Sequence, residues 1–361
     1  MRTSVEGQSL SPEDQLFILM QAGLYLTVTC GQGSPEARIC YERAEPLCYS
    51  LHRPMLLYLA LIGQWRYSLL TGKMSTTLQI AKYVYSLAQE QKDAALMIGA
   101  YRALAVTHFY LGDFQAALRY AVRGVQIWRT EGVPSHVEEV HAPAVVCLCI
   151  EALSKWHIGE ITSCHATLEE AISLARELND MHALANALTC AAILGQIERN
   201  PTAVERLASD VIELATRHNF ENWLQVGGIL LGWARAASGD AADGIPRIES
   251  GIRGTGWVLV DYYLALKAEA LHLAGRTSEA LEAISEAEAL VERFEERWWC
   301  AELRRLRGIF LTAIGAADAQ IESSFREAIR IAKEQKSISL TKRAEEAYAQ
   351  YRNEKNCGKQ Q

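Results

Sequence analysis

The amino-acid sequence predicts an all-α solenoid, an array of helix pairs stacked side by side, and three observations carry that expectation. Glycines punctuate the chain: Gly72, Gly112, Gly159, Gly239, Gly275 and Gly315 stand 36 to 47 residues apart except for one gap of 80. That gap hides a further turn at Glu198-Arg199-Asn200-Pro201, so a unit of about 40 residues recurs throughout. Between the turns, apolar residues fall at three- and four-residue steps, as in Leu264, Leu266, Ala268, Leu271 and Leu273, then Ala280, Leu281, Ile284, Ala287, Leu290 and Val291. That is the helical period, and no segment alternates with period two long enough to make a sheet. The third observation is size: the chain has 361 residues, 50% of them apolar, whereas a single compact core stops growing near about 250–300 residues. An array shares its core between neighbours and escapes that limit.

The elements follow in order. A polar segment, 1–11, is expected to be flexible and precedes helices at 12–30 and 35–51. The next pair is placed at 54–71 and 74–91 around Gly72, and the third at 93–111 and 113–129 around Gly112. Thr130 to Glu139 carries Gly132, Pro134 and a Glu pair and reads as a longer surface loop near 130–140. Pairs are then expected at 141–158 with 160–178, 180–197 with 201–218, 220–237 with 241–252, 257–274 with 276–294, and 297–314 with 318–335. A last helix at 338–353 closes the array, and 354–361 is a polar tail. The glycine in each turn supplies the left-handed helix end that a side chain resists. Asp113, Asp240 and Ser278 stand where they can cap or complement the second helix of a pair. Small residues recur at equivalent places, Ala105, Ala152, Gly232, Ala268 and Gly308 in first helices and Ala117, Gly124, Ala171, Gly244, Gly251, Ala280, Ala287 and Ala328 in second helices. They let neighbouring helices approach closely, so repeats stack face to face.

The pattern resembles tetratricopeptide repeats. Tyr101, Leu104, Ala105, His108, Gly112, Phe114, Ala117 and Ala121 fall where that motif places its aromatic, Leu, small, Gly and Ala positions. A 40-residue period makes the long-helix, maltose-activator-like version the closer likeness. The stretch from Asp14 to Lys336 is similar to the C-terminal repeat region of large bacterial signalling proteins, in which a nucleotide cyclase or DNA-binding domain and a signal-transduction ATPase domain precede the superhelix. That likeness rests on Gly31-Gln-Gly-Ser-Pro-Glu-Ala, Tyr41 to Cys48, Leu111-Gly-Asp-Phe114, Val146-Cys-Leu-Cys149, Ala171 to Leu178, Gly232-Trp-Ala234, and Glu296 to Leu303 followed by Leu306-Arg-Gly308. It implies a right-handed superhelix and a place in bacterial signalling. Two departures stand out: nothing before residue 12 holds a catalytic domain, and Trp65 occupies the small-residue place of its helix.

Chemistry is sparse. The 36 basic and 43 acidic residues give a net charge of −7 with no Lys/Arg block, so a nucleic-acid partner is not expected. Apolar runs are too short to span a bilayer and the N-terminus lacks an apolar signal core, so a cytoplasmic protein without a membrane partner is expected. Nine cysteines without a C-x-x-C pair read as reduced core residues. Gly72-Lys73 lacks the upstream glycine and strand of a phosphate loop. His136, His141, His157 and His165 lie near Cys147, Cys149 and Cys164, residue types that ligate zinc. Cys147 and Cys149 nevertheless sit about 200° apart around a helix and face opposite ways. No nucleophile elbow or H-E-x-x-H run occurs. Neither an enzyme, a cofactor nor a metal is expected.

What remains is a surface. In tetratricopeptide arrays the first helices line the concave groove, and by that resemblance Arg102, Phe109, Tyr110, Trp156, His157, Trp233, Glu269, His272 and Arg305 face inward. Aromatic and Arg anchors dominate binding energetics, and a preformed groove lowers the ordering cost. The expected function is a non-catalytic scaffold or adaptor that binds a protein or peptide there. The alternative is a module that senses a small molecule for a transcription or cyclase-type regulator.

Overall fold

The computed structural model describes residues 10–29, 33–132, 142–255 and 259–358, and every element within them is helical. The helices pair in chain order: α1 (Pro12–Thr29) with α2 (Pro35–Ser50), α3 (Pro54–Thr71) with α4 (Met74–Gln91), α5 (Ala94–Tyr110) with α6 (Phe114–Glu131), and α7 (Pro143–His157) with α8 (Ile161–Glu177). The array continues with α9 (Met181–Ile197) and α10 (Pro201–His218), α11 (Glu221–Ala237) and α12 (Ala241–Gly254), α13 (Val260–Leu273) and α14 (Thr277–Phe294), α15 (Cys300–Ala313) and α16 (Asp318–Glu334), and finally α17 (Ile338–Gly358). The chain is an all-α solenoid of tetratricopeptide-like pairs. The expected flexible start lies outside the described residues up to 9, as does most of the expected 130–140 loop. Residues 354–358, expected in a polar tail, continue α17 instead.

Turn chemistry sets the pairs. Gly112, Gly159, Gly239, Gly275 and Gly315 all have φ between 67° and 101°, the left-handed region that closes a helix without a Cβ penalty. Gly72 departs from the expectation: its φ is −105°, so no left-handed end is needed there. At the turn hidden in the 80-residue gap, Arg199 itself takes φ 62°. Asp113 and Asp240 accept from the amides of Ala116 and Asp243 and cap their helices. Ser278 does not, because α14 already starts at Thr277 and no side chain caps it. Ser34, Asp93, Asp180 and Asn200 supply caps elsewhere.

Small residues set the spacing, in one respect differently from expectation. A Cβ on Gly232 would lie 2.6 Å from the carbonyl of Gly244, a backbone atom that cannot move aside. This tight crossing joins α11 to α12, the two helices of one repeat, rather than successive repeats. Gly124 plays the inter-repeat part, lying against Cys147 of the next unit. Nor is the core wholly continuous: one large buried cluster runs from Trp65 to Leu340, a second covers Leu16 to Ala100, and Ile321, Phe325 and Tyr351 form a third.

The curvature brings the C-terminal repeats back onto the inner face of earlier ones. Segment 295–299, between α14 and α15, docks on the end of α5: the amides of Arg297 and Trp298 donate to the Tyr110 carbonyl at 2.7 and 3.2 Å. The Ser75 amide donates to Glu295 at 2.9 Å across the same gap. Trp298, 1% exposed, packs between Phe109 and Tyr262 with ring centres 5.4 and 5.2 Å away. At the start of α17, Ser337 hydrogen-bonds His157 Nδ1 at 3.1 Å and Ser339 donates to the Trp156 carbonyl at 2.5 Å.

Candidate functional site

That seam decides which inward residues are accessible. Phe109, Trp156 and His157 are buried within it, and the His157 ring stacks on Phe114 with centroids 3.5 Å apart. Arg102 is buried with its guanidinium 5.1 Å from the Trp65 ring centre, so the tryptophan in the small-residue place is accommodated by a cation over its face. Tyr110 is half-buried, and its hydroxyl is pushed well up by burial and then by the charges of Glu296 and other neighbours. These five residues therefore depart from the expected open groove. The C-terminal repeats cover Phe109, Tyr110, Trp156 and His157, while Arg102 is buried against Trp65.

Further along, the remaining four converge. Trp233 of α11, Glu269 and His272 of α13, and Arg305 of α15 line one pocket of about 380 Å³, joined by Arg199, Leu306 and Phe310 among others. Trp233, Glu269 and Arg305 stand one 36-residue step apart along the chain, as do Ala237, Leu273 and Ile309 of the same lining. Equivalent positions of successive first helices thus face one space.

Charge is concentrated at its floor. Arg305 grips Glu302 with two hydrogen bonds, Nε to Oε2 at 2.8 Å and Nη2 to Oε1 at 2.6 Å. Arg343 of α17 and Arg199 reach the same carboxylate at 3.3 and 3.4 Å. Burial alone would raise the Glu302 carboxyl, but Arg305, Arg343 and Arg199 together hold it well below the usual range. Arg199 also pairs with Glu269, whose Oε2 accepts from Trp233 Nε1 at 3.3 Å. Glu269 Oε1 is buried without a hydrogen-bond partner. Three guanidiniums thus share two carboxylates. His272 adds no charge at neutral pH: burial lowers its pKa against the opposing pull of Glu269. Its Nδ1 meets Thr277 Oγ1 at 3.0 Å and its ring leans on Phe310.

Sequence reasoning missed Arg199, Glu302, Phe310 and Arg343. Arg199 sat in a recognised turn, and the Glu302 and Arg305 pair three residues apart on one helix face was a legible signal. Arg343 comes from a helix that only the curvature brings near. Of the residues weighed for zinc, Cys147, Cys149 and Cys164 are buried and His165 is exposed and pairs with Glu198, while His136 and His141 lie outside the described residues. Among the described residues no group of three metal-ligating side chains assembles. No described helix is long and apolar enough to cross a membrane.

No protein-family model matches the chain. It is 26% identical over 341 residues to an uncharacterized protein of Rhizobium meliloti (strain 1021), an alignment covering 91% of this chain and 33% of that protein. The chain therefore spans about one third of the length of the curated relative it matches. Among solved structures it is similar to NprR in complex with its cognate peptide NprX, with a TM-score of 0.58, 11% identity, and 97% and 100% of the two chains covered. A Rap protein complexed with Competence and Sporulation Factor gives a TM-score of 0.55 at 14% identity, covering 90% and 99%. Cut9 in the APC/C hetero-tetramer Cut9-Hcn1 gives 0.51 at 12%, covering 92% and 64%. At these identities the likeness is one of fold: tetratricopeptide-like helical repeats.

Proposed function

We propose that this chain is a non-catalytic regulatory scaffold of bacterial signalling that binds a peptide segment of a partner, anchored in the pocket lined from the α9–α10 turn to α15. The observation that carries the reading is the convergence of Trp233, Glu269, His272 and Arg305 on an open volume, whereas the end of α5 on the same inner face is covered by segment 295–299. The pocket combines apolar walls with fixed charges, the combination that gives ligand sites both affinity and orientation. The fold agrees, since NprR in complex with its cognate peptide and a Rap conjugation gene regulator in complex with the Phr* peptide are both similar in architecture. The resemblance to repeat regions of cyclase and ATPase regulators, and the match to one third of a longer relative, suit a regulatory segment working beside other domains.

The test is selection of random displayed peptides on the wild-type chain and on Ala237→Trp, which fills the pocket without altering charge. Enrichment on the wild type alone supports the reading. Equal enrichment on both chains, with both folded by thermal melt, rejects this pocket as the anchor.

A further inference from the structure

The pocket's charge pattern points beyond a generic anchor. We infer that it is a site for a small apolar carboxylic acid whose α-substituent donates a hydrogen bond, an α-hydroxy or α-amino acid with an aliphatic or aromatic side chain. This goes further than the peptide reading and does not depend on it.

The first observation is the surplus cation. Arg199, Arg305 and Arg343 share Glu269 and Glu302, leaving one positive charge uncompensated in a partly enclosed cluster. Arg199 and Arg305 both line the pocket, and the Arg199 side chain is 39% exposed at its rim. A planar guanidinium fork in that setting matches the two oxygens of a carboxylate.

An independent observation is the orphan acceptor. Glu269 lines the pocket and is 8% exposed, its Oε2 is occupied by Arg199 and Trp233, and its buried Oε1 holds no partner. A buried unpaired oxygen is costly, so a ligand that brings a donor is favoured over one that does not. Because Arg199 and Glu269 touch, the required carboxylate and donor lie on adjacent carbons of the ligand. An α-hydroxy acid offers that pair, and so does an α-amino acid.

Size and walls complete the match. Trp233, Leu306, Ile309 and Phe310 give the side chain an apolar bed. A volume of about 380 Å³ lies at the small end of ligand sites, which run from about 300 to 1,000 Å³. It suits one residue-sized molecule. The surplus charge also sets an order: a singly negative α-hydroxy acid compensates it, whereas a zwitterionic amino acid brings an ammonium that does not. Hydroxy acids should therefore bind more tightly than the corresponding amino acids.

The experiment is calorimetric titration of the full chain with four probes: 2-hydroxy-4-methylpentanoate, L-leucine, 4-methylpentanoate, which lacks the α-donor, and L-leucinamide, which lacks the carboxylate. The expected order is the hydroxy acid first, leucine next, 4-methylpentanoate at least tenfold weaker than the hydroxy acid, and no heat from leucinamide. Arg199→Gln and Ala237→Trp, each verified as folded by its melt, should each abolish binding of the hydroxy acid. Leucinamide binding as well as leucine, or hydroxy-acid binding unchanged in both variants, overturns the inference. Silence from all four probes while displayed peptides still enrich also overturns it and leaves the peptide reading standing. Probe binding without any peptide enrichment upholds the small-acid site and overturns the peptide reading.

Discussion

The inner face of this solenoid behaves in two ways along its length. At the ends of α5 and α7 it is a seam, where aromatic side chains meet the returning C-terminal repeats. From α9 to α15 similar residue types, Trp233 and Phe310 among them, border open volume. Trp156 and Trp233 both lie near the end of a first helix, and both are almost fully buried. What separates their surroundings is the element opposite: the start of α17 covers the Trp156 carbonyl, whereas Trp233 borders the open pocket. Aromatic character at a repeat position therefore does not distinguish glue from contact surface. Superhelical curvature does, by choosing which positions are covered.

If the seam is structural and the pocket is not, truncation should affect them unequally. The largest effect is expected at the seam's centre, where Trp298→Ala removes a ring held between Phe109 and Tyr262 and should destabilise the chain by about 3–5 kcal/mol in chemical denaturation. A loss below about 1 kcal/mol would show that the seam is not held by this residue. Next is the helix crossing that carries the pocket wall. Gly232→Leu drives a side chain into the Gly244 carbonyl and should cost about 1–3 kcal/mol, with pocket binding altered too because Trp233 is the next residue.

A third measurement asks whether the seam is sensitive to pH. Behind Trp298, burial pushes the Asp261 carboxyl up to about 7, and burial followed by the Asp261 charge pushes Glu296 well above the carboxylate range. The folded state therefore holds protons on these acids that the unfolded chain has released. The contribution of Asp261 is full below about pH 4 and lost as pH rises through about 7. Buried histidines such as His157 have lowered pKa values and act oppositely, costing stability as the pH falls below their ordinary value. The informative quantity is thus a difference: the Tm of Asp261→Asn relative to wild type should climb steadily from pH 5 to pH 8, while histidine effects cancel. A pH-independent difference would remove the acid pair from the account. The smallest effect belongs to the pocket. His272→Ala, at a partly exposed lining position, should change stability by no more than about 0.5–1 kcal/mol in the same denaturation assay while weakening any ligand bound there.

Much of the architecture was legible because it is local. Glycine spacing and a three-to-four apolar step place all the described helices within a few residues, since helix ends depend on nearby caps and turns. One boundary error shows the limit: a helix beginning at 297 was expected, but Arg297 and Trp298 leave the helical path because their amides are taken by Tyr110, far away in sequence. The site was legible by half for the same reason. Trp233, Glu269, His272 and Arg305 share the repeat register, which the sequence carries. Arg343, and the covering of Phe109, Trp156 and His157, depend on how far the superhelix turns per repeat. That quantity sums many small helix-packing angles and has no motif.

The seam also governs how the chain must be assembled. Repeat arrays can fold unit by unit as each pair contacts its neighbour, but the Ser75 to Glu295 contact spans 220 residues and cannot form until both have left the ribosome. At a synthesis rate of about 5–20 residues per second, the aromatic face of the early repeats waits on the order of ten seconds or more for its cover. Over that interval the nascent chain presents Phe109 and Trp156 to whatever is nearby, which makes the early repeats the stretch where a holding chaperone has most to protect. Closure is then a late, long-range step with the loop entropy of a much less local fold.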